Sequence, residues 1–511
     1  MIGIPAGRRP LPDGPVGLLR TLGLWDLVAM NVVAVVALRW IPRAARLGAP
    51  SITLWVLAWL TFFLPLAATV CELSSRYPDQ GGIYVWIRRA FGPTHGFVCG
   101  WCVWVNNLFF FPSLLLFAAP NALLIFGDRF RHLIDSPLYS TLFVIGALWA
   151  IVGLNIVGLS IAKWLQNIGS LATWLTAILV VGFGVMALAS FGSATSFAPR
   201  ELLPRGTSWT TVSMWSAICL AFSGFEITPF VGQEIRDPRR TIPRGVLLAG
   251  LVITFIYVAG SVGVLVAVPA STLSERSGIS DAIQLTSQRV GVGGLGELSA
   301  GLLAIGALAM TSSWFAGAAR VPFAAGVDGV LPASFGRLHP RFGTPSLGLL
   351  VQGGVSSLIF LITIGLTCRS ASAPVQEAYD ILVGLTILIY FVPYLYLFPS
   401  LVRLRARDER PSTETTAAQK RDSRQLRSQV ARVPGGRIGL WSVAISGFLT
   451  TVMSLSLVFV PPPEARWLNY EANLAGQAAI VIGLGLVVLW HSRRSRASHS
   501  VDGVSTILSG K

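Results

Sequence analysis

Apolar runs of about 20 residues, each long enough to cross a hydrocarbon core of roughly 30 Å as a helix, recur along the whole chain. Twelve can be traced, beginning near residues 22, 51, 94, 139, 165, 209, 245, 297, 346, 378, 438 and 472. The pattern predicts an all-α polytopic membrane protein with 12 transmembrane helices. Polar stretches set its boundaries. They are a tail over 1–20, a core over 21–402, an Arg-, Ser- and Thr-rich linker over 403–437, two further spans within 438–491, and a second tail over 492–511.

Two of the runs are interrupted. The first breaks at Ala37-Leu38-Arg39-Trp40-Ile41-Pro42, where a charge and a proline enter the apolar sequence. The sixth breaks at Ser223-Gly224-Phe225-Glu226. The breaks lie five crossings apart, and five is odd, so the second copy of a five-helix unit would be inverted in the membrane. That predicts repeats over about 22–191 and 209–402, with helices 1 and 6 discontinuous. Interrupted helices at matching positions of two halves point to a transporter's binding site, because irregular backbone at that depth must line a cavity or be buried in protein. A proline or glycine that merely kinks a span is the plainer reading of each break alone.

Composition agrees with the hydropathy pattern. Hydrophobic residues make up 53% of the 511 and charged residues only 12%, against about 25% charged in a soluble domain. The formal net charge of +16 is distributed as a membrane protein distributes it. With the N-terminus inside, most Lys and Arg fall on segments that would be cytoplasmic, the linker and both tails included. This positive-inside bias sets topology and attracts anionic lipid headgroups. It does not indicate nucleic acid. The expected location is the inner or plasma membrane, with both termini cytoplasmic. Arg39, Arg43 and Arg46 run against the bias at the outer end of the first span, where they either snorkel or face a wet vestibule.

Glu226 carries the sharpest chemistry. A carboxylate at membrane depth is costly and marks a functional site by default. It has two readings: it pairs with a cationic solute head or takes up a proton for coupling, or it sits hydrogen-bonded to the broken helix ends. Burial favours its neutral form and a nearby cation the charged one. Half-helix N-termini suit a carboxylate, and unwound carbonyls suit an ammonium. An amino acid offers both.

Other signals lead nowhere. Cys99-Gly-Trp-Cys102 has redox spacing without a βαβ context, and Gly291-Val-Gly-Gly-Leu-Gly296 matches a dinucleotide fingerprint but follows no strand. The five histidines lie in loops or at span edges. No nucleotide motif argues for a primary pump, and no catalytic constellation for an enzyme. No metal site and no cofactor is expected.

Four stretches resemble the amino acid–polyamine–organocation (APC) permeases. They are Glu72-Leu-Ser-Ser-Arg-Tyr-Pro78 with Gly81-Gly-Ile-Tyr-Val-Trp86, the segment from Phe222 to Arg244, Arg320–Ala324 with Asp328-Gly-Val-Leu-Pro332, and Gln166-Asn167. The resemblance covers about residues 20–400 and implies a LeuT-type 5+5 inverted repeat with a small-molecule substrate. It is closest to the glutamate/γ-aminobutyrate exchanger and polyamine branches. Many members carry a Gly-Ser-Gly cluster at the first break; Val35, Val36 and Ala37 stand there here. The resemblance implies a substrate site built from Val35, Val36, Ala37, Arg39, Trp40, Ser223, Gly224, Phe225 and Glu226. Walls would come from Asn106 and Asn107 of span three and Trp314 of span eight. A lysine often found in span five is replaced by Thr173, so a sodium site involving Thr173, Thr311, Ser312 and Ser313 enters as an expectation. Close helix packing is the rival reading of those hydroxyls, and helix bridging that of the two asparagines. The implied function is secondary transport of amino acids or related amines, coupled to H+, to Na+ or to exchange. A polyamine-specific carrier and a non-transporting solute sensor are the alternatives.

Overall fold

The computed structural model describes residues 23–77, 82–204, 209–225, 235, 237–320, 331–370, 372–409, 431–461 and 467–508. These residues are helical between their connecting turns, and ten helices are long and apolar enough to cross a membrane. The two interrupted runs are different. The first gives α1, Leu24–Val35, and a six-residue α2, Trp40–Ala45. The sixth gives a helix of only 13 residues, Trp209–Ala221.

In chain order the helices after α2 are α3 Pro50–Arg76, α4 Gly82–Phe91, α5 Pro93–Leu124, α6 Pro137–Val157, α7 Leu159–Phe191, α8 (the sixth run's Trp209–Ala221), α9 Pro238–Ala267, α10 Gly278–Val290, α11 Leu295–Ala318, α12 Ser346–Ser370, α13 Pro374–Glu409, α14 Gly436–Leu457 and α15 Trp467–Leu508. α5 and α13 pack against each other as the most buried long helices; α11 packs on α5 and α7, and α1 lies along α9. On the outside, α7 presents Trp164, Ile168, Leu171, Leu175, Ile178 and Val185, all exposed. Their spacings of three, four and seven residues keep them on one apolar stripe, a face suited to lipid. Its inner side packs so tightly on α9 that a Cβ on Gly184 would come within 2.3 Å of Gly263 Cα. Small residues allow this kind of close approach between membrane helices.

Proline placement accounts for the irregularity in α3, which contains a π-helical turn over Trp59–Phe63. Pro65 has no N–H to offer the carbonyl of Thr61, four residues earlier. Two hydroxyls of α14 take that role: Ser446 Oγ at 3.0 Å and Thr450 Oγ1 at 3.2 Å.

Charge clusters tie both ends of the bundle. At one end Arg43 Nη1 bonds Glu275 at 2.7 Å and Asp380 at 2.8 Å, and Arg46 Nη1 bonds the other oxygen of Glu275 at 3.0 Å. This corrects the expectation for the arginines of the first span. Arg39 and Arg43 neither snorkel nor face water but are buried, because carboxylates more than 200 positions away fold onto Arg43 and aromatic rings cover Arg39. At the opposite end, the buried Glu72 accepts from Arg76 at 2.6 Å, Arg405 at 3.3 Å and the Val433 N–H at 2.8 Å. Asp408 accepts from Arg76 at 3.1 Å and from the Tyr77 hydroxyl at 2.8 Å. Burial and then that bond push the Tyr77 phenol up to about 12, so it remains a donor at ordinary pH.

Candidate functional site

The two breaks meet. α1 ends where Val36 turns to extended backbone with ψ 102°, and the chain resumes helix only after Arg39. α8 ends at Ala221, and Gly224 stands at φ +113°, a conformation open to glycine and strained for L side chains. A Cβ there would also press to 3.1 Å from Val35 Cγ2. One side chain joins both breaks. The Tyr257 hydroxyl of α9 accepts the Ala37 N–H at 3.3 Å, and its proton is shared between Val35 O at 3.1 Å and Ala221 O at 3.2 Å. The peptide groups freed by the breaks are therefore partly satisfied from a third helix, which fixes the breaks relative to each other. Trp55 stacks on Tyr257 at 4.6 Å, and Phe222 meets both edge-on.

A cavity opens beside the junction. Val35, Ala37, Trp40, Asn106, Asn107, Ser223, Gly224 and Trp314 line it, joined by Ala34, Phe110, Leu220, Met310, Thr386 and Tyr390. The centre of a water-sized sphere can occupy about 50 Å³ of it, several times the ~10–15 Å³ that one water needs. Ser223 Oγ donates to Leu220 O at 2.6 Å. Asn107 Nδ2 donates to Val103 O at 2.7 Å. The Oδ1 atoms of Asn106 and Asn107 are buried acceptors without a partner among the described residues. Polar groups few in number on an apolar wall are what a small-molecule site presents.

The remaining candidates lie elsewhere. Val36 and Phe225 are buried beside the cavity and do not line it; Phe225 packs on Phe63 at 5.0 Å. Arg39 is sealed behind the wall. Glu226 lies outside the described residues, as do Glu234 and Arg236. Thr173, Thr311 and Ser313 hydroxyls bond carbonyls of their own helices, Gly169, Ala307 and Ala309, at 2.8–2.9 Å. Ser312 Oγ accepts from Asn155 Nδ2 at 3.1 Å.

A family model described as "Amino acid permease" matches residues 22–486. The chain belongs to the amino acid permease family. This permease is 28% identical to an uncharacterized transporter of Legionella pneumophila, over 89% of this chain and 94% of that one. It is 26% identical to a probable agmatine/putrescine antiporter of Lactococcus lactis, over 71% and 75%. It is 23% identical to a glutamate/γ-aminobutyrate antiporter of the same organism, over 87% and 84%. Among solved structures, that of MhsT in complex with L-phenylalanine aligns with a TM-score of 0.56 at 12% identity, covering 86% of the permease and 99% of MhsT. The permease thus has a LeuT-type fold and is a multi-pass membrane transporter of the APC family.

Sequence reasoning missed Tyr257, Tyr390, Thr386 and Met310. A tyrosine or threonine inside an apolar run carries no mark of the tertiary contact it will make. Asp380 was open to discovery, since the rule that singled out Glu226 applies equally to a carboxylate three residues into the tenth run.

Proposed function

We propose that the permease is a secondary carrier for amino acids or related amines, working by alternating access with proton coupling or solute exchange. The observation that supports this best is the convergence of two broken helices on one cavity whose wall carries two amide oxygens without a partner among the described residues. The names of the two Lactococcus relatives, one an agmatine/putrescine and one a glutamate/γ-aminobutyrate antiporter, support the same solute classes. In this reading the chain crosses the inner or plasma membrane twelve times, each interrupted run counting as one crossing beside the ten long helices. Two inverted five-helix repeats, about 22–191 and 209–402, form the core. α14 and α15 follow the linker over 403–437, and both termini are cytoplasmic. The solute passes unaltered, so the protein acts as a carrier and not as an enzyme.

The breaks supply the recognition surface: backbone at Val35 and Ala37, and Ser223 and Gly224 opposite, with Val36 and Phe225 packed behind them and Trp40, Asn106, Asn107 and Trp314 as walls. The cluster around Arg43 closes the outer path and the cluster around Glu72 the inner one, and transport requires each to open while the other holds. Glu226 is the proton-coupling group. Sodium coupling through Thr173, Thr311, Ser312 and Ser313 is the competing version, and imposed gradients separate the two. In proteoliposomes, uptake of labelled amino acids and amines should rise with an imposed proton gradient. Glu226→Gln should lower that accumulation at least ~10-fold while leaving solute exchange in place. Gradient-driven uptake unchanged by Glu226→Gln would remove Glu226 from coupling, and uptake that follows only a sodium gradient would select the hydroxyl site.

A further inference from the structure

The cavity has a buried cation behind its wall that no carboxylate of the described residues pairs with. Arg39 stands in the break between α1 and α2 and is fully buried. Its Nη1 donates to Ser113 Oγ at 2.9 Å, a neutral partner. Its Cζ lies 4.4 Å from the ring centre of Trp40 and 5.0 Å from that of Phe110, and both rings line the cavity. Nε and Nη2 meet no carboxylate among the described residues, and the neutral Tyr379 hydroxyl stands beside the guanidinium. The neighbouring arginines are placed differently. Arg43 holds Glu275 and Asp380, and Arg46 shares Glu275, so these two carboxylates are engaged by other guanidiniums.

A guanidinium keeps its charge in proteins. Two aromatic faces and the neutral hydroxyls of Ser113 and Tyr379 offset part of its desolvation, but a buried charge without a counter-ion remains costly. The Trp40 and Phe110 rings stand between it and the cavity, and attraction between charges through buried protein is far stronger than in water. An anion that the described residues do not supply is one a solute can bring. Asn107 serves the other end. Its Nδ2 is committed to Val103 O, which leaves Oδ1 as an acceptor for an ammonium.

The geometry points to Arg39 as a specificity-determining residue that makes the cavity select solutes bearing a carboxylate over amines lacking one. This rests on the carrier reading above and narrows its solute class to zwitterions. The test is counterflow with the full-length protein in proteoliposomes, using amino acids each paired with its decarboxylated amine: ornithine with putrescine, lysine with cadaverine, phenylalanine with phenethylamine. For whichever pairs exchange, the amino acid should compete at least ~10-fold better than its amine, about one decade of affinity. Arg39→Gln should bring the ratio toward one by raising KM for the amino acid while KM for the amine stays put, and Arg39→Lys should keep the preference. An amine that matches its amino acid in the wild-type protein overturns the proposal, and this measurement needs no variant to fold. An equal fall in Vmax for both members of a pair in Arg39→Gln, with the ratio intact, makes Arg39 a staple to Ser113 and overturns it too. Discrimination that survives Arg39→Gln and vanishes in Glu226→Gln assigns the selectivity to Glu226 instead. Counterflow by no compound at all removes the carrier reading itself, a different failure from exchange without discrimination.

Discussion

Tyr257 holds the site together through a single oxygen. It is fully buried, stacked on Trp55, and bonded to peptide groups of both broken helices. Tyr257→Phe keeps the ring and its packing but strands the Ala37 N–H and leaves Val35 O and Ala221 O without their shared donor. Each buried group so orphaned costs about 1–3 kcal/mol. The expected outcome is a lower thermal midpoint in detergent and a counterflow rate reduced at least ~10-fold; an unchanged rate would show that the breaks do not depend on this hydroxyl. No reading of the sequence singles out Tyr257, because its partners lie 220, 222 and 36 positions away and tyrosine is ordinary in an apolar run. Gly224 was legible. A glycine between Ser223 and Phe225 in the middle of a span already suggested a break, and its φ of +113° supplies the reason glycine stands there.

Helices, by contrast, were largely written in the hydropathy pattern, since a bilayer allows few alternatives to an uninterrupted apolar run of fixed length. Ten such runs became long helices and the two interrupted ones became short pieces. The clusters tying the ends were not legible, because Arg43 meets Glu275 and Asp380 only through folding across 232 and 337 positions. These clusters carry a prediction about elements. Asp380→Asn should weaken the joint between α2 and α13, and Glu72→Gln the joint linking α3, α13 and the segment entering α14. A cysteine at Ala37, in a background where the exposed Cys368 is replaced by serine, reports both. Asp380→Asn should speed its labelling by an impermeant thiol reagent several-fold from outside, and Glu72→Gln from inside. Identical labelling rates in all backgrounds would mean the clusters stabilise the bundle without gating it.

For the molecule as a whole, the family match over residues 22–486 and the LeuT-type neighbour agree with the polytopic LeuT-type fold that the resemblance implied. What the sequence alone could not provide is the hollow between them. It depends on which side chains of α5, α11 and α13 face the junction, and apolar helices on every side leave little periodicity to read. The central claim is that solute binds in that hollow, and Ser223→Cys in the Cys368→Ser background examines it most directly. Ser223 lines the cavity, and cysteine there is nearly the same size. Modification by a membrane-permeant methanethiosulfonate reagent should abolish counterflow, and saturating transported amino acid should slow that modification at least several-fold. If the modified protein still exchanges solute at its original rate, or if the amino acid gives no protection, the solute passes elsewhere and the proposed site is wrong.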